Sequence, residues 1–201
     1  MLPVSAAVIV GLCLYKMSRS YDSRPFVPVR QVSLRPVSPN SGLLFKLYDQ
    51  KSELVKLSRY VGRHEIVLVF FDGQAGAHGN PTMRLLAENI ERIDEDLIIV
   101  GVSDVLPQVN ERYLKQWNAD RNERMLPELR FVLLSDVDFS RDGPGEKWKV
   151  HRQWGRYDSI KKRPLTGIFF IDRKGQVSRG SNGPEVIAEP ELLLDRLLAR
   201  K

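Results

Sequence analysis

Few side chains in this chain could carry chemistry, and their types and spacing limit what that chemistry can be. The chain has one thiol, Cys13. Within one chain this excludes a disulfide framework, a Cys-x-x-Cys redox pair and a zinc site built from several cysteines. The three histidines, His64, His78 and His151, match no metal-ligand spacing, so no bound metal is expected. Asp136, Asp138, Ser140 and Asp142 alternate as calcium-loop ligands do. That loop needs glycine at its sixth position and glutamate at its twelfth, where this chain has Arg141 and Lys147, so an acidic turn is expected. Gly73, Gly76 and Gly79 fall at intervals of three just before a helix start. Such a loop can offer backbone N–H groups to an anion, or it can simply turn tightly. It lacks the lysine and threonine of a phosphate-binding P-loop. Trp148 and Trp154 lie among Lys147, Lys149, Arg152 and Arg156. That mixture suits core packing with solvated charges, or contact with an acidic protein partner.

These residues must be positioned by an alternation of strands and helices. Glu65–Phe71 (EIVLVFF), Leu97–Val102 (LIIVGV) and Phe131–Leu134 (FVLL) are continuous apolar β runs, as in strands buried on both faces. Leu43–Tyr48 reads as a shorter strand, and Lys56–Tyr60 as a helical turn. Asn80 and Pro81 form a helix start, because Asn can cap and Pro suits the first helical position. Met83, Leu85, Leu86, Ile90 and Ile93 supply that helix's apolar face. A second helix runs from Pro107 to about Arg121, a short one spans Glu146–Trp154, and Pro190–Ala199 closes the chain. Gly167–Asp172 and Gln176–Arg179 flank the turn Arg173-Lys174-Gly175 as a hairpin. The order implies an α/β sheet whose right-handed crossovers cover both faces with helices.

The 201 residues divide into three parts: an apolar N-terminal segment (1–19), a basic, proline-rich linker (20–42) and a folded domain (43–201). Leu2–Tyr15 is uncharged, and as a helix it would span about 21 Å against a hydrocarbon core of about 30 Å. It reads as a short membrane anchor, a cleaved signal or a non-inserting apolar tail, with Cys13 as a small apolar filler. The basic residues follow the run, so an inserted run leaves the domain on the cytoplasmic or equivalent side. Residues 1–40 hold Lys16, Arg19, Arg24, Arg30 and Arg35 against Asp22, a net of +4 out of +6 for the chain. The remaining +2 argues against nucleic acid as a partner of the body. The expected partners are a membrane through the N-terminus and a protein, and a homodimer stays open.

The segments FKLYDQKSELVKLSRYVGRHEIVLVFF, VGVSDV, FVLLSDVD and PLTGIFFIDRKGQV, in this order and spacing, resemble the alkyl hydroperoxide reductase/thiol-specific antioxidant branch of the peroxiredoxins. The resemblance spans roughly Leu43–Leu198 and implies a thioredoxin-like, peroxiredoxin-type α/β sheet with helices on both faces. In that family a cysteine in the first helical turn after the EIVLVFF-like strand becomes a thiolate and attacks the peroxide. Laid on its Pro-x-x-x-Thr/Ser-x-x-Cys signature, this chain places Gly76 at the hydroxyl position and Gly79 at the cysteine. The family's peroxide-holding arginine falls near Thr166, with Arg163 close by, and Pro164 matches a proline beside the active site. His78 lies in the same loop. These six residues are the candidate ligand pocket, and no catalytic residue or cofactor is expected. The expected function is a non-peroxidatic binding or scaffolding protein. The rival is an oxidoreductase or cofactor-binding protein that uses loop 72–79 without a thiol.

Overall fold

The computed structural model describes residues 33–93, 95–124, 131–137, 147–180 and 183–199. The apolar run 2–15, Cys13 and most of the expected linker lie outside them, as do Asp138, Ser140 and Asp142.

The central strand is β4 (Glu65–Phe71), and every residue after Glu65 in it is buried. Its apolar run supplies both faces of the sheet, because side chains alternate along a strand. Val67, Val69 and Phe71 enter one core layer, while Ile66, Leu68 and Phe70 enter the other. On one side β4 pairs in parallel with β5 (Leu97–Ser103), which pairs in parallel with β6 (Val132–Ser135). On the other side it pairs antiparallel with β9 (Gly167–Ile171). The sheet extends through β10 (Gln176–Gly180) to β1 (Leu34–Pro36), with β11 (Gly183–Pro184) also on β10. Past β6 it continues to β2 (Lys46–Asp49) and β3 (Leu54–Lys56). Among the described residues this is a nine-stranded sheet. A separate two-stranded hairpin joins β7 (Tyr157–Asp158) to β8 (Arg163–Pro164).

Among the described residues five α-helices accompany the strands: α1 (Gly76–Gly79), α2 (Pro81–Glu88), α3 (Pro107–Arg124), α4 (Lys149–Gln153) and α5 (Pro190–Leu198). The expected start of α2 is realised, with the Asn80 side chain accepting the Met83 N–H at 3.0 Å. Met83 and Leu86 of α2, Trp117 of α3 and Leu193 and Leu197 of α5 all enter the Val67/Val69/Phe71 layer. The two crossover helices therefore share one face. The order β4-β5-β6 steps in one direction across the sheet, and two crossovers of one hand then leave their helices on the same side. The opposite face is covered by α4, through Val150 and the following Trp154, and by the 43–57 segment. Helices thus lie on both faces, and the fold is thioredoxin-like of the peroxiredoxin type. The crossovers alone do not achieve this.

The folded body begins earlier than the expected domain start at Leu43. Leu34, Arg35 and Pro36 stand opposite Ser178, Val177 and Gln176, and Val37 is buried. Proline favours extended backbone, and here the extended segment closes a sheet edge, where a residue without an N–H is tolerated.

Candidate functional site

β4 and β5 end together on one side of the sheet. In register, Phe71 faces Ser103, which faces Ser135. Asp72, Asp104 and Asp136 are each one residue further on and form a row of carboxylates at the strand ends. Their roles differ. Asp72 accepts the Gln74 N–H at 2.9 Å, and Asp104 accepts the Gly73 N–H at 2.9 Å, so both hold the glycine loop. Asp136 is buried and accepts the His151 Nδ1–H at 2.6 Å, together with the backbone N–H groups of Val150 (3.2 Å) and His151 (2.8 Å). It therefore secures the start of α4. Beneath the row, the buried Asn110 amide donates to Ser103 Oγ (2.8 Å) and Ser135 Oγ (3.1 Å).

Phe71, Asp72 and Asp104 form one wall of a depression of about 260 Å³, and the segment Arg163–Pro164–Leu165–Thr166 forms the other. Open α/β sheets bind ligands beyond the carboxyl ends of their strands. The lining combines two carboxylates, a guanidinium and a hydroxyl. These suit hydrogen bonding to a small polar molecule, and no thiol is among them.

The structure divides the six candidate residues. It brings Arg163, Pro164 and Thr166 to this depression. Gly76 and His78 pack instead on α3, where the half-buried imidazole lies 5.5 Å from the Tyr113 ring and 6.3 Å from that of Trp117. Gly79 opens on a different depression of about 300 Å³, beside Arg84, Glu88 and Glu191. At Gly73, Gln74 and Gly76 the glycine loop's amides are engaged within the fold. The Gly73 and Gln74 N–H groups go to the two aspartates, the Gly76 N–H goes to the Gly73 carbonyl, and the Tyr113 hydroxyl donates to the Gln74 carbonyl at 2.9 Å. Gly76 has φ +70°, and a Cβ there would lie 2.9 Å from the His78 ring and 3.0 Å from Tyr113. A Cβ on Gly73 would lie 2.5 Å from Val105. These glycines are required by the turn and by close packing.

Two features were not read from the sequence. The first is the His151–Asp136 pair, which came from residues assigned to an acidic turn and a short helix. His151 Nε2 is buried and makes no hydrogen bond, and the ring packs edge-on to Phe70 at 4.9 Å. The second is Arg156. Its guanidinium lies so close to Gly167 that a Cβ there would sit 2.9 Å from Nε. That Nε is buried without a hydrogen bond, and burial pushes the group's pKa below its ordinary value. The available signal was Gly167 itself, a glycine opening an apolar β run, which marks close approach by another group. The tryptophans divide as well: Trp117 and Trp154 are buried, while Trp148 stacks on Tyr157 at 5.9 Å. Among the described residues no cluster of His, Cys, Asp or Glu is placed to hold a metal, and no helix is long and apolar enough to cross a membrane.

The chain is similar in structure to a cysteine-to-serine variant of Xanthomonas campestris peroxiredoxin Q. The TM-score is 0.54 at 16% identity, covering 84% of this chain and 98% of the other. It is likewise similar to a cysteine-to-serine variant of Xylella fastidiosa PrxQ, with a TM-score of 0.54 at 17% identity, covering 83% and 94%. At these identities the likeness is one of fold. No protein-family model matches the chain, and no curated protein matches it.

Proposed function

We propose that this chain is a non-peroxidatic peroxiredoxin-like protein, tethered to a membrane by its N-terminus and serving a binding or scaffolding role. One observation carries the first part. The segment after β4, where the resembling family places its reactive cysteine, reads DGQAGAHGN, and no cysteine follows Cys13. Peroxide reduction by that family requires a thiolate in that turn, and neither glycine nor the α3-packed His78 supplies a comparable nucleophile. The tether rests on the uncharged run 2–15 followed by the basic arm.

The test is peroxide consumption in the presence of dithiothreitol. The full chain and its Cys13→Ser variant should both match buffer with reductant. Saturable turnover that survives Cys13→Ser would overturn the reading.

A second reading, a small-ligand or cofactor-binding protein, is favoured by the depression beyond β4 and β5, where Arg163 and Thr166 face Asp72 and Asp104. It differs from the loop-centred version because the glycine loop's amides at Gly73, Gln74 and Gly76 are spent internally. Chromophoric cofactor carried through purification would appear as absorbance beyond the tryptophan band.

A further inference from the structure

The near-neutral charge of the body conceals a strong segregation. Between Lys147 and Arg163 the chain has seven basic residues and one acidic residue, Asp158, a net of 7 − 1 = +6. The net over residues 41–201 is only +2, so the rest of the body is acidic at 2 − 6 = −4. The structure turns one of these cations inward, Arg156 against Gly167. The other six, Lys147, Lys149, Arg152, Lys161, Lys162 and Arg163, are exposed.

Tertiary packing ties the segment that carries Lys147, Lys149 and Arg152 to the hairpin that carries Lys161, Lys162 and Arg163. The Arg152 guanidinium lies 3.8 Å over the Tyr157 ring and its Nε donates to the Lys147 carbonyl, while Trp148 stacks on the same tyrosine. Tyr157 starts the β7–β8 hairpin, so Arg152 of α4 stands against the base of the hairpin that carries Lys161, Lys162 and Arg163. That tip is built firmly: Asp158 Oδ1 accepts the N–H groups of Ile160 and Lys161, both at 2.9 Å. The turn holds Ile160 91% exposed, immediately before Lys161, Lys162 and Arg163.

We propose that this face docks on an anionic lipid surface, with Ile160 entering the bilayer interface and the surrounding cations meeting lipid headgroups. An exposed isoleucine at a convex tip gains nothing from a nucleic acid backbone, but it gains apolar surroundings in a bilayer. Cations flanking an inserted side chain are placed within a Debye length of the charged headgroups. The nearby aromatics Trp148 and Tyr157 pack on each other, and Tyr157 also carries the Arg152 guanidinium, rather than standing free to receive bases. The proposal uses only residues of the folded body and stands apart from the tether at residues 2–15.

The test uses the full chain carrying Cys13→Ser and Ile160→Cys, labelled at the new thiol with an environment-sensitive dye. Vesicles of phosphatidylcholine are compared with vesicles that also contain phosphatidylserine. The dye should shift to the blue only when phosphatidylserine is present. Lys149→Gln, Lys161→Gln and Lys162→Gln together should raise the phosphatidylserine needed for the half-maximal shift on the order of a hundredfold, or remove the shift. Pelleting with phosphatidylcholine alone reports the N-terminal tether, so each reading fails by its own readout. A chain that pellets with phosphatidylserine vesicles and leaves the dye unshifted overturns the proposal. So does a shift of equal size on neutral vesicles, or one produced by duplex DNA or RNA and not by lipid.

Discussion

Asp136 shows how one residue can hold an element in place. Its buried carboxylate takes three donors, two of them backbone N–H groups at the start of α4. The Asp136→Ala variant leaves those donors and the His151 ring buried without an acceptor. Buried hydrogen bonds to a charged group are worth roughly 1.5–3 kcal/mol each, and their losses overlap. Chemical denaturation should show a stability loss of about 2–4 kcal/mol. A change below about 0.5 kcal/mol, the size typical of a surface substitution, would contradict the assigned role. Asp158 works in the open, at the hairpin. The Lys161 backbone N–H first, then that of Ile160, and the nearby charges of Lys161 and Arg163 hold its carboxyl below the ordinary aspartate value. A depressed folded pKa means that the stabilisation is fully present above the unfolded carboxylate pKa. It is lost as pH falls through the lower folded value. An NMR titration of the Asp158 carboxyl and the Lys161 amide should give a shared midpoint below that of a free aspartate. A midpoint at or above it would mean that the turn is not held this way.

Among the elements, β4 carries the most weight, because both core layers hang on it. Val69 is 1% exposed and sits between Gly101 of β5 and Ile168 of β9. The Val69→Asp variant would bury an unpaired carboxylate in that layer, at a cost of several kcal/mol, and should leave the chain unfolded by circular dichroism at room temperature. A cooperative melt within a few degrees of the parent's would show that the strand is not central. The glycine loop and α3 make a second lesson at this scale. A spacing of three glycines is compatible with an anion cradle or with a tight turn, and local sequence does not choose between them. The choice is made by Asp72, Asp104 and Tyr113, whose side chains take up the loop's polar groups.

For the whole molecule the open matter is attachment. The chain should fractionate with membranes, and deletion of residues 1–19 should release it at moderate salt, where the +6 segment is screened. Recovery of the uncleaved full chain in the soluble fraction at low salt would rule out the tether. A mature N-terminus near Ser18–Ser20 would show instead that the run is a removed signal. Charge averaged over the body hid the basic run Lys147–Arg163, because acidic residues elsewhere in the body cancel it in the sum.

The sequence by itself determined the order of the main elements, β4-α2-β5-α3-β6-α4-β9-β10-α5, the buried character of β4 and β5, the capped start of α2 and the absence of a thiol beyond Cys13. Those features are local: the period of burial, a cap and a missing side chain are all legible within a few residues. Tertiary structure alone decided which side chains meet. Arg163 and Thr166 line one depression with Asp72 and Asp104 because β9 lies against β4. His151 finds Asp136, 15 residues before it, because α4 folds back on the end of β6. The edge strand β1 was legible only as extended backbone, because its partner β10 lies more than a hundred residues away. Register and crossover direction set these meetings. Both arise from packing between distant segments, which no window of neighbouring residues contains.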